Sequence, residues 1–414
     1  MSEVNVMEEM SLGSTGVEMP SEVDLDTLLG LTDILTTDMG DSSVEETARE
    51  VVKEPHFSVS LNRVVEALKI SSMVSACSKD SAESRKIFMK VDGNQLVIRA
   101  TDRALIWVER RAELLDTENL MNDYVVFDSG ILSKIVRLCS KEFTLIKRED
   151  GVYVSTLGGE TYIDNIKTEE SKFDFPAIDE SSLFEVNREE VCNAVKRIFP
   201  VANSATSNEQ NIVFFKDSSV YAVNNACAAK FVGNNKYSDF GVKRDNVRIL
   251  YNVACADTGE TMKISKDGSV FIGKDFKAKF AKINIKEQKL INIVDRMFSH
   301  NEGAVVDIGH ISKITDLSLG LDYSLGKMDF NYNKDGKVTC NMKTKRKESL
   351  YVLRGTSGNV EPLGSSVCIA SGGMRNALSV FSGMTTANVV VSEDGVAFES
   401  YGFKSVVVKG SISI

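Results

Sequence analysis

Two segments have spacings that resemble known ligand-binding loops. Gly268-Ser-Val-Phe-Ile-Gly-Lys-Asp275 matches a phosphate-binding P-loop up to its last position, where Asp275 replaces the hydroxyl that ligates magnesium. Asn331-Tyr-Asn-Lys-Asp-Gly336 begins like a calcium loop, but the position that should carry a bidentate glutamate is Met342. Strand-like residues flank both segments, so hairpin turns explain them better than nucleotide or calcium binding.

The other reactive side chains form no cluster in the sequence. The three histidines, His56, His300 and His310, are far apart, and neither an HExxH motif nor a Cys/His cluster is present. A zinc site needs three or four converging ligands. No GxSxG motif marks a nucleophilic serine. We therefore expect a protein that is not an enzyme and that needs neither a cofactor nor a metal.

The seven cysteines include no CxxC pair, and they stand at positions 77, 139, 192, 227, 255, 340 and 368. An odd, unpatterned set without a secretory signal is typical of reduced thiols, so we expect a cytoplasmic protein. No run of about 18 apolar residues is present that would span a membrane.

Charge divides the chain at residue 54. The formal net charge is −10, which taken alone argues against a nucleic-acid partner. Residues 1–54 contain 14 acidic side chains against Arg49 and Lys53, for a sum of −12, so the remaining 360 residues carry +2. Residues 1–54 also lack aromatic side chains, so we predict a disordered acidic tail. Within it, Asp24–Leu35 has the pattern of a short amphipathic helix that either docks on a partner or forms only transiently.

From residue 55 onward, a turn-like dipeptide between strand-like residues recurs six times. Asp-Gly or Asp-Ser pairs between alternating apolar residues indicate hairpins. The second residues of these pairs are Gly93, Gly151, Ser218, Gly268, Gly336 and Gly395. They are about 60 residues apart, which indicates an internal repeat.

A segment with helical periodicity precedes each predicted hairpin. The six segments are Ser60–Val74, Ser129–Ser140, Asn187–Phe199, Arg244–Ala256, Gly309–Leu319 and Gly372–Phe381. In the second segment the predicted apolar face consists of Ile131, Leu132, Ile135, Leu138 and Cys139. Two such repeats make one domain of ordinary size. We therefore predict an α+β protein of three tandem domains, built from six repeated helix plus antiparallel-sheet units.

Composition also predicts the domain boundaries. The acidic segment 168–180 contains Pro176, which a central strand does not tolerate. It separates domain 1 (55–170) from domain 2 (181–285). A linker over 286–303 then leads into domain 3 (304–414).

Rows of such sheets leave strand edges that proteins must cover, shorten or close. A curved array of six units avoids this problem if its last domain pairs with the first domain of a second copy. Head-to-tail contacts of this kind either close into rings or grow into filaments. In a closed ring the helices would line the inside.

Basic residues recur at helix positions that we expect to be exposed. They are Arg63, Lys69, Lys134, Arg137, Lys141, Arg188, Lys196, Arg197, Arg244, Arg248, Lys313 and Arg375. The acidic residues among them are Glu66, Glu189, Glu190, Asp245 and Asp316, so an ordinary mixed solvated surface is the alternative. Cations directed at duplex DNA would make sequence-independent, salt-sensitive phosphate contacts.

The order of units resembles that of the bacterial sliding clamps, the DNA polymerase III β subunit family, and of their divergent phage relatives. His56–Lys69 resembles the first strand and first inner helix of that family, and Leu96–Asp102 resembles its strand that ends in Thr-Asp. Phe173–Pro176 resembles the Phe-Pro element between its first two domains. The resemblance covers residues 55–414 and implies a three-domain, ring-forming fold with helices lining the inside.

The resemblance also implies site residues. The loop after the first helix contacts DNA in clamps, and here it contains Lys79, Arg85 and Lys86. A pocket for partner peptides lies between domains 2 and 3 of clamps. Here Ala222–Ala228 departs from the family's sequence, and Val408–Ile414 replaces its apolar tail. If the pocket persists, it is lined by Val223, Cys227, Ile412 and Ile414.

The resulting hypothesis is a DNA sliding clamp, a processivity factor that encircles duplex DNA as a head-to-tail homodimer and tethers a DNA polymerase. Three domains per chain would give a six-domain ring from two chains. The expected partners are duplex DNA, a DNA polymerase, an ATP-dependent clamp loader and a second copy of the chain. The alternative is a clamp-fold scaffold or regulatory protein that no longer encircles DNA, which the altered pocket favours.

Overall fold

The computed structural model describes residues 54–78, 81–203, 211–283, 303–321, 327–332, 337–343, 348–353, 367–392 and 395–409. The predicted acidic tail, apart from Glu54, therefore lies outside the described residues, as do Lys79, Ile412 and Ile414. Within the described ranges no helix is long and apolar enough to cross a membrane.

Seven α-helices occur in the described part of the chain. They are α1 (Leu61–Cys77), α2 (Ser81–Ser84), α3 (Ser129–Val136), α4 (Arg188–Asn203), α5 (Arg244–Cys255), α6 (Ile308–Leu321) and α7 (Ser371–Ser379). All but the short α2 correspond to the six helices predicted from periodicity. Asp128 begins α3 by accepting hydrogen bonds from the backbone amides of Gly130 and Ile131, as an N-cap residue does.

The strands of the first half of the chain are β1 (His56–Ser60), β2 (Lys86–Asp92), β3 (Gln95–Thr101), β4 (Trp107–Glu113), β5 (Val125–Asp128), β6 (Glu142–Arg148), β7 (Gly151–Thr156), β8 (Gly159–Ile163) and β9 (Leu183–Asn187). The later strands are β10 (Ile212–Val223), β11 (Cys227–Lys243), β12 (Thr261–Ser265), β13 (Val270–Ile272), β14 (Phe276–Lys279), β15 (Ala304–Asp307), β16 (Lys327–Tyr332), β17 (Val338–Lys343), β18 (Glu348–Val352), β19 (Val367–Ala370), β20 (Thr386–Ser392), β21 (Gly395–Ser400) and β22 (Phe403–Val408).

These strands form four antiparallel sheets. Their strand orders are β1-β6-β7-β8, β5-β2-β3-β4-β14-β13-β12-β9, β10-β11-β22-β21-β20-β15 and β18-β17-β16-β19. A short run of antiparallel strands follows each of the six main helices. The predicted α+β class, with repeated units of one helix and antiparallel strands, is therefore confirmed.

Two of the sheets join segments that are far apart in the chain. In the eight-stranded sheet, β4 pairs with β14, with Trp107 opposite Lys279 and Arg110 opposite Phe276. In the six-stranded sheet, β11 pairs with β22, with Cys227 opposite Val407. In both cases the pairing joins the last strand of the group that follows one helix to the last strand of the group that follows another helix.

The six main helices contact one another in a fixed order. Helix α3 packs against α1, α1 against α5, α5 against α4, α4 against α7, and α7 against α6. The apolar faces behind them pack on the sheets; α5, for example, buries Val247, Leu250 and Val253. The helices therefore form one row, with α3 and α6 at its ends.

One predicted hairpin is wrong. Residues 216–223 belong to the continuous strand β10, which pairs with β11 through irregular register on both sides of Asp217. Asp217 has a φ of 51°, so it forms a bulge and the chain does not reverse there. The reversal comes after Val223, where the Asn224 side chain accepts hydrogen bonds from the amides of Ala226 and Cys227.

The other predicted hairpins have paired strands at the expected places. The reversal between β6 and β7 uses residues 149–150, because Arg148 lies opposite Gly151, and so falls one residue earlier than predicted. Strands β16 and β17 pair, as do β20 and β21, although the turn residues 333–336 and 393–394 lie outside the described ranges.

Three arginines hold the C-terminal end of α5. The side chain of Arg110, which is 4% exposed, donates to the carbonyl oxygens of Val253 and Ala256, each at 3.1 Å, and to Glu66. Arg63 also donates to the Ala256 carbonyl, at 3.0 Å. Arg188 donates to the carbonyls of Ala254 and Gly259. These cations satisfy the carbonyl groups that a helix end leaves unpaired and lie at the negative end of its dipole.

Replacing Arg110 by methionine should lower the free energy of unfolding by about 2 to 3 kcal/mol, because buried carbonyls lose their donors. The matched control is the Arg111→Met variant at the next position. The half-buried Arg111 side chain pairs with Glu109 and Asp92. That variant should lose less than about 1 kcal/mol, because Arg99 still pairs with the buried Glu109. Urea titrations monitored by circular dichroism measure both, and equal losses would contradict a special role for Arg110.

Candidate nucleic-acid interface

Exposed cations occur along the row of helices. Lys69 on α1, Lys134 on α3, Lys196 on α4, Lys313 on α6 and Arg375 on α7 are all exposed. At the end of α3, Arg137 and Lys141 are exposed as well. On α5, Arg244 and Arg248 are half-buried. Every main helix therefore contributes at least one predicted basic residue that solvent reaches.

Four of the five acidic residues on these helices are engaged by neighbours. Glu66 accepts from Arg63 and Arg110, and Glu190 accepts from the backbone amides of Asn234 and Asn235. Asp245 pairs with Arg244, and Asp316 lies 3.8 Å from Arg375. Glu189 is exposed. The Arg244–Asp245 pair on α5 and the Arg375–Asp316 pair between α7 and α6 each neutralise one predicted cation. The net positive charge of the helix row is therefore smaller than a count of its lysines and arginines indicates.

Besides Arg188, which holds the end of α5, two of the predicted DNA-binding arginines bind other parts of the protein. Arg63 is half-buried and donates to the Ala256 carbonyl at the end of α5. Arg197 donates to the carbonyls of Val380 and Ser382, and its guanidinium lies 5.1 Å from the ring centroid of Phe403. Their hydrogen-bonding groups are thus largely occupied, and both residues hold neighbouring helices together.

The loop after α1 is described in part. Arg85 is exposed, whereas Lys86 is half-buried and pairs with Glu83 at 2.5 Å. Glu83 also pairs with Arg103. Lys79 lies outside the described residues. Of the two cations in the described ranges that the resemblance implies, Arg85 is therefore the more accessible to solvent.

The predicted peptide pocket needs a correction. The side chains of Val223 and Cys227 are 2% and 0% exposed, and burial raises the pKa of the Cys227 thiol to about 12. Cys227 lies opposite Val407 of β22, and Val223 ends β10 opposite Ala228 of β11. Both are buried within the sheet, so neither lines an open groove. Ile412 and Ile414 lie outside the described residues.

The P-loop-like segment is a hairpin between β12 and β13. Gly268 occupies the turn with a φ of 67°, a left-handed conformation that favours glycine. Asp275 is buried and accepts from the Thr258 hydroxyl at 2.7 Å. Strands β13 and β14 directly follow this turn where a phosphate loop would begin a helix, so the amide cradle of such a loop is not built here.

Solved structures share this arrangement. The fold is that of a sliding clamp. The DNA polymerase III β subunit of Thermotoga maritima superposes with a TM-score of 0.69 at 14% identity, covering 87% of this chain and 99% of that one. The sliding clamp of Pseudomonas aeruginosa gives 0.67 at 13% identity over 87% and 99%. The Caulobacter crescentus polymerase III β subunit gives 0.66 at 11% over 87% and 100%.

No family model matches the chain, and no curated protein matches it by sequence. The structural likeness, at 11–14% identity, therefore establishes the clamp fold, and with it the resemblance drawn from the order of the repeats.

The sequence did not indicate the exposed apolar residues at the ends of the helix row. Ile131 and Leu138 were assigned to the apolar face of α3, yet they are 48% and 51% exposed. One physical reason is that α3 ends at Val136, so Leu138 no longer follows the helical period. At the other end, Leu317 and Leu321 of α6 are 45% and 60% exposed.

Replacing Arg197 by alanine should lower the free energy of unfolding by about 1 to 2 kcal/mol, since three hydrogen bonds and a cation–π contact are lost. The preceding residue supplies the control, because Lys196 is exposed and Lys196→Ala should change stability by less than about 0.5 kcal/mol. Thermal and urea denaturation measure both. An unchanged stability for Arg197→Ala would show that the observed contacts are not structural.

Proposed function

We propose that the protein is a DNA sliding clamp, a non-enzymatic processivity factor that encircles duplex DNA as a head-to-tail homodimer. The observation that carries the proposal is the row of six contacting helices, each with a solvent-accessible cation, on a clamp fold. Such cations make contacts with phosphates that do not depend on base sequence. The three-domain division (55–170, 181–285 and 304–414, with 286–303 as linker) is part of this proposal.

Strand equivalence supports the dimer. Strand β4 is the last strand of the group that follows α1, and it pairs with β14, the last strand of the group that follows α5. In the same way β11, the last strand after α4, pairs with β22, the last strand after α7. Strand β18 ends the run after α6, and β8 ends the run after α3. Both are terminal strands of their sheets among the described residues. By the same rule, β18 of one copy pairs with β8 of the next.

The ends of the helix row support the same contact. At each internal junction a helix pair also meets, α1 with α5 and α4 with α7. The equivalent pair at the third junction is α6 of one copy and α3 of the other. The exposed Leu317 and Leu321 on α6, and Ile131 and Leu138 at α3, supply apolar surface for that contact. Burying it would add to the strand pairing.

A closed ring is retained on DNA by topology, so each phosphate contact can be weak. Weak and sequence-independent contacts also leave the protein able to slide. The partners that we propose are duplex DNA, a DNA polymerase, an ATP-dependent loader that opens the ring and a second copy of the chain. Support for the polymerase comes from the names of the structurally similar proteins, DNA polymerase sliding clamps and polymerase III β subunits.

A clamp-fold scaffold that no longer encircles DNA is the second candidate. The observation that favours it is the burial of Val223 and Cys227, which leaves the partner-peptide pocket implied by the resemblance without those two residues. A protein that docked partners elsewhere would not need that pocket.

Replacing Leu317 and Leu321 together by aspartate should weaken dimerisation at least about hundredfold, since two carboxylates would be desolvated at the contact. Size-exclusion chromatography with light scattering over a micromolar concentration series measures the change. Leu105→Asp is the control, because Leu105 is 54% exposed in the turn between β3 and β4, away from the proposed contact. A wild-type chain that stays monomeric throughout the series would refute the dimer.

Retention on circular DNA tests encirclement. The protein is first mixed with nicked circular DNA at a concentration at which it is mostly monomeric, and the mixture is then concentrated. Under these conditions we expect two chains to close around the DNA without a loader. The complex should survive gel filtration, and cutting the circle once should release the protein, because a ring slides off free ends.

Reversing the charge at Lys69 and Lys196, which are exposed on α1 and α4 away from the two ends of the helix row, provides a comparison, since it removes phosphate contacts while leaving the ring intact. That variant should remain linked to the circle but bind linear DNA more weakly at low salt. Failure of the wild-type protein to be retained, although it dimerises, would instead support the scaffold.

A further inference from the structure

A cavity of about 490 Å³ lies beside α4 and α5, the two helices in the middle of the row. Its lining includes Cys192 and Lys196 from α4, Tyr251 and Cys255 from α5, and Phe231 from β11. Lys196 is also one of the proposed DNA-contacting cations, but neither the DNA contacts nor the dimer contact proposed above uses the two cysteines. Two of the seven cysteines therefore meet in one solvent-accessible place.

The two thiols differ in their surroundings. Cys192 is buried, whereas Cys255, the last residue of α5, is exposed. The Cys192 thiol and the Tyr251 hydroxyl line the cavity together with Cys255, and both act on the pKa of the Cys255 thiol as hydrogen-bond donors. Arg188 and Lys196 place two positive charges near this pair. A thiolate at Cys255 thus has two donors and two nearby cations, the kind of environment in which cysteines become reactive.

Ionisation follows from these contacts. The hydrogen bond from Cys192 is the main cause that lowers the pKa of the Cys255 thiol to about 7, against the opposing effect of desolvation. The same hydrogen bond, followed by burial, raises the pKa of Cys192. Burial also raises the pKa of Tyr251 to about 12, so its hydroxyl keeps its proton.

Two carboxylates face the same cavity. Glu189 and Glu190 line it and would oppose a negative charge on Cys255. The Glu190 carboxylate, however, accepts hydrogen bonds from the backbone amides of Asn234 and Asn235. These donors partly compensate its negative charge. The remaining described groups around Cys255 are the donors and cations already named.

Four of the other cysteines lack this environment. Burial raises the pKa of Cys77 to about 11 and that of Cys340 to about 12. Cys139 and Cys227 are buried. Cys255 is therefore an exposed thiol of lowered pKa with a second thiol in the same cavity, which sets it apart from these four.

We propose that Cys192 and Cys255 form a redox-responsive thiol pair, which hydroperoxides convert into a disulfide between α4 and α5. The Cys255 thiolate attacks the peroxide, an S–O bond forms as the O–O bond breaks, and the leaving hydroxide or alkoxide takes up a proton. Cys192 then attacks the resulting sulfenic acid, its thiol proton leaves with the hydroxyl as water, and the S–S bond forms. The peroxide is reduced by two electrons, and the two thiols supply them.

The fold makes the second step intramolecular. Helices α4 and α5 pack directly against each other, so Cys192 needs no large backbone movement to reach the oxidised sulfur. The disulfide would cross-link the middle of the helix row and remove the thiolate beside Lys196. This inference does not depend on DNA binding, because both cysteines lie within one chain.

The test uses the full chain with all seven cysteines. Treatment with hydrogen peroxide near neutral pH, followed by blocking of free thiols and digestion without reduction, should yield a Cys192–Cys255 cross-linked peptide in mass spectrometry. Dithiothreitol should abolish it. Cys192→Ser should stop at a sulfenic acid that dimedone traps on Cys255, and Cys77→Ser, the matched control, should leave the cross-link unchanged.

Alkylation rates provide a second measurement on the unmodified protein. At pH 7, Cys255 should react with iodoacetamide at least about tenfold faster than Cys77, because its thiolate fraction is far larger even though its intrinsic nucleophilicity is lower. The midpoint of its rate–pH profile should rise in the Cys192→Ala variant, which has no hydrogen-bond donor at that position. Absence of the cross-linked peptide would overturn the pair, and a Cys255 rate no greater than that of Cys77 would overturn its role as the attacking thiol.

Discussion

The backbone groups at a strand edge must find partners, and this requirement organises the whole molecule. The chain meets it twice internally, by pairing β4 with β14 and β11 with β22. These pairings bring segments more than 150 residues apart into common sheets. The same pairings set the helices side by side, because each sheet carries its helices with it. The surface that we propose for DNA is therefore a by-product of how the sheet edges are satisfied.

Much of this fold was accessible from the sequence. The six helices and most hairpins were predicted because period 3.6 and Asp-Gly dipeptides are local signals that each unit repeats. The error at 216–223 has a local cause too, since an Asp-Ser pair is compatible with either a turn or a bulge. Only the long partner strand β11 decides between them. The pairing of distant edges had no signature that the sequence analysis could use.

The candidate site was less predictable than the fold. Periodicity identifies which helix positions carry cations, but it does not identify which cations the protein uses internally. Arg63 and Arg197 have the same side chain as an exposed DNA ligand, yet each finds carbonyl oxygens on another helix or its flanking turn. Cys192 and Cys255 are likewise 63 positions apart, and only the packing of α4 on α5 brings their thiols together.

The hydrogen bonds from three arginines to the C-terminal end of α5 also constrain how the chain folds. Arg63 reaches a carbonyl 193 positions later, and Arg110 reaches one 146 positions later. A nascent chain that ends near residue 170 would contain both guanidinium groups but none of these acceptors. Its first sheet would present a cation where the complete protein has a buried hydrogen-bond network. Such long-range contacts slow folding and join the two segments into one cooperative step, so that synthesis must pass residue 256 before the first of them is fully stable.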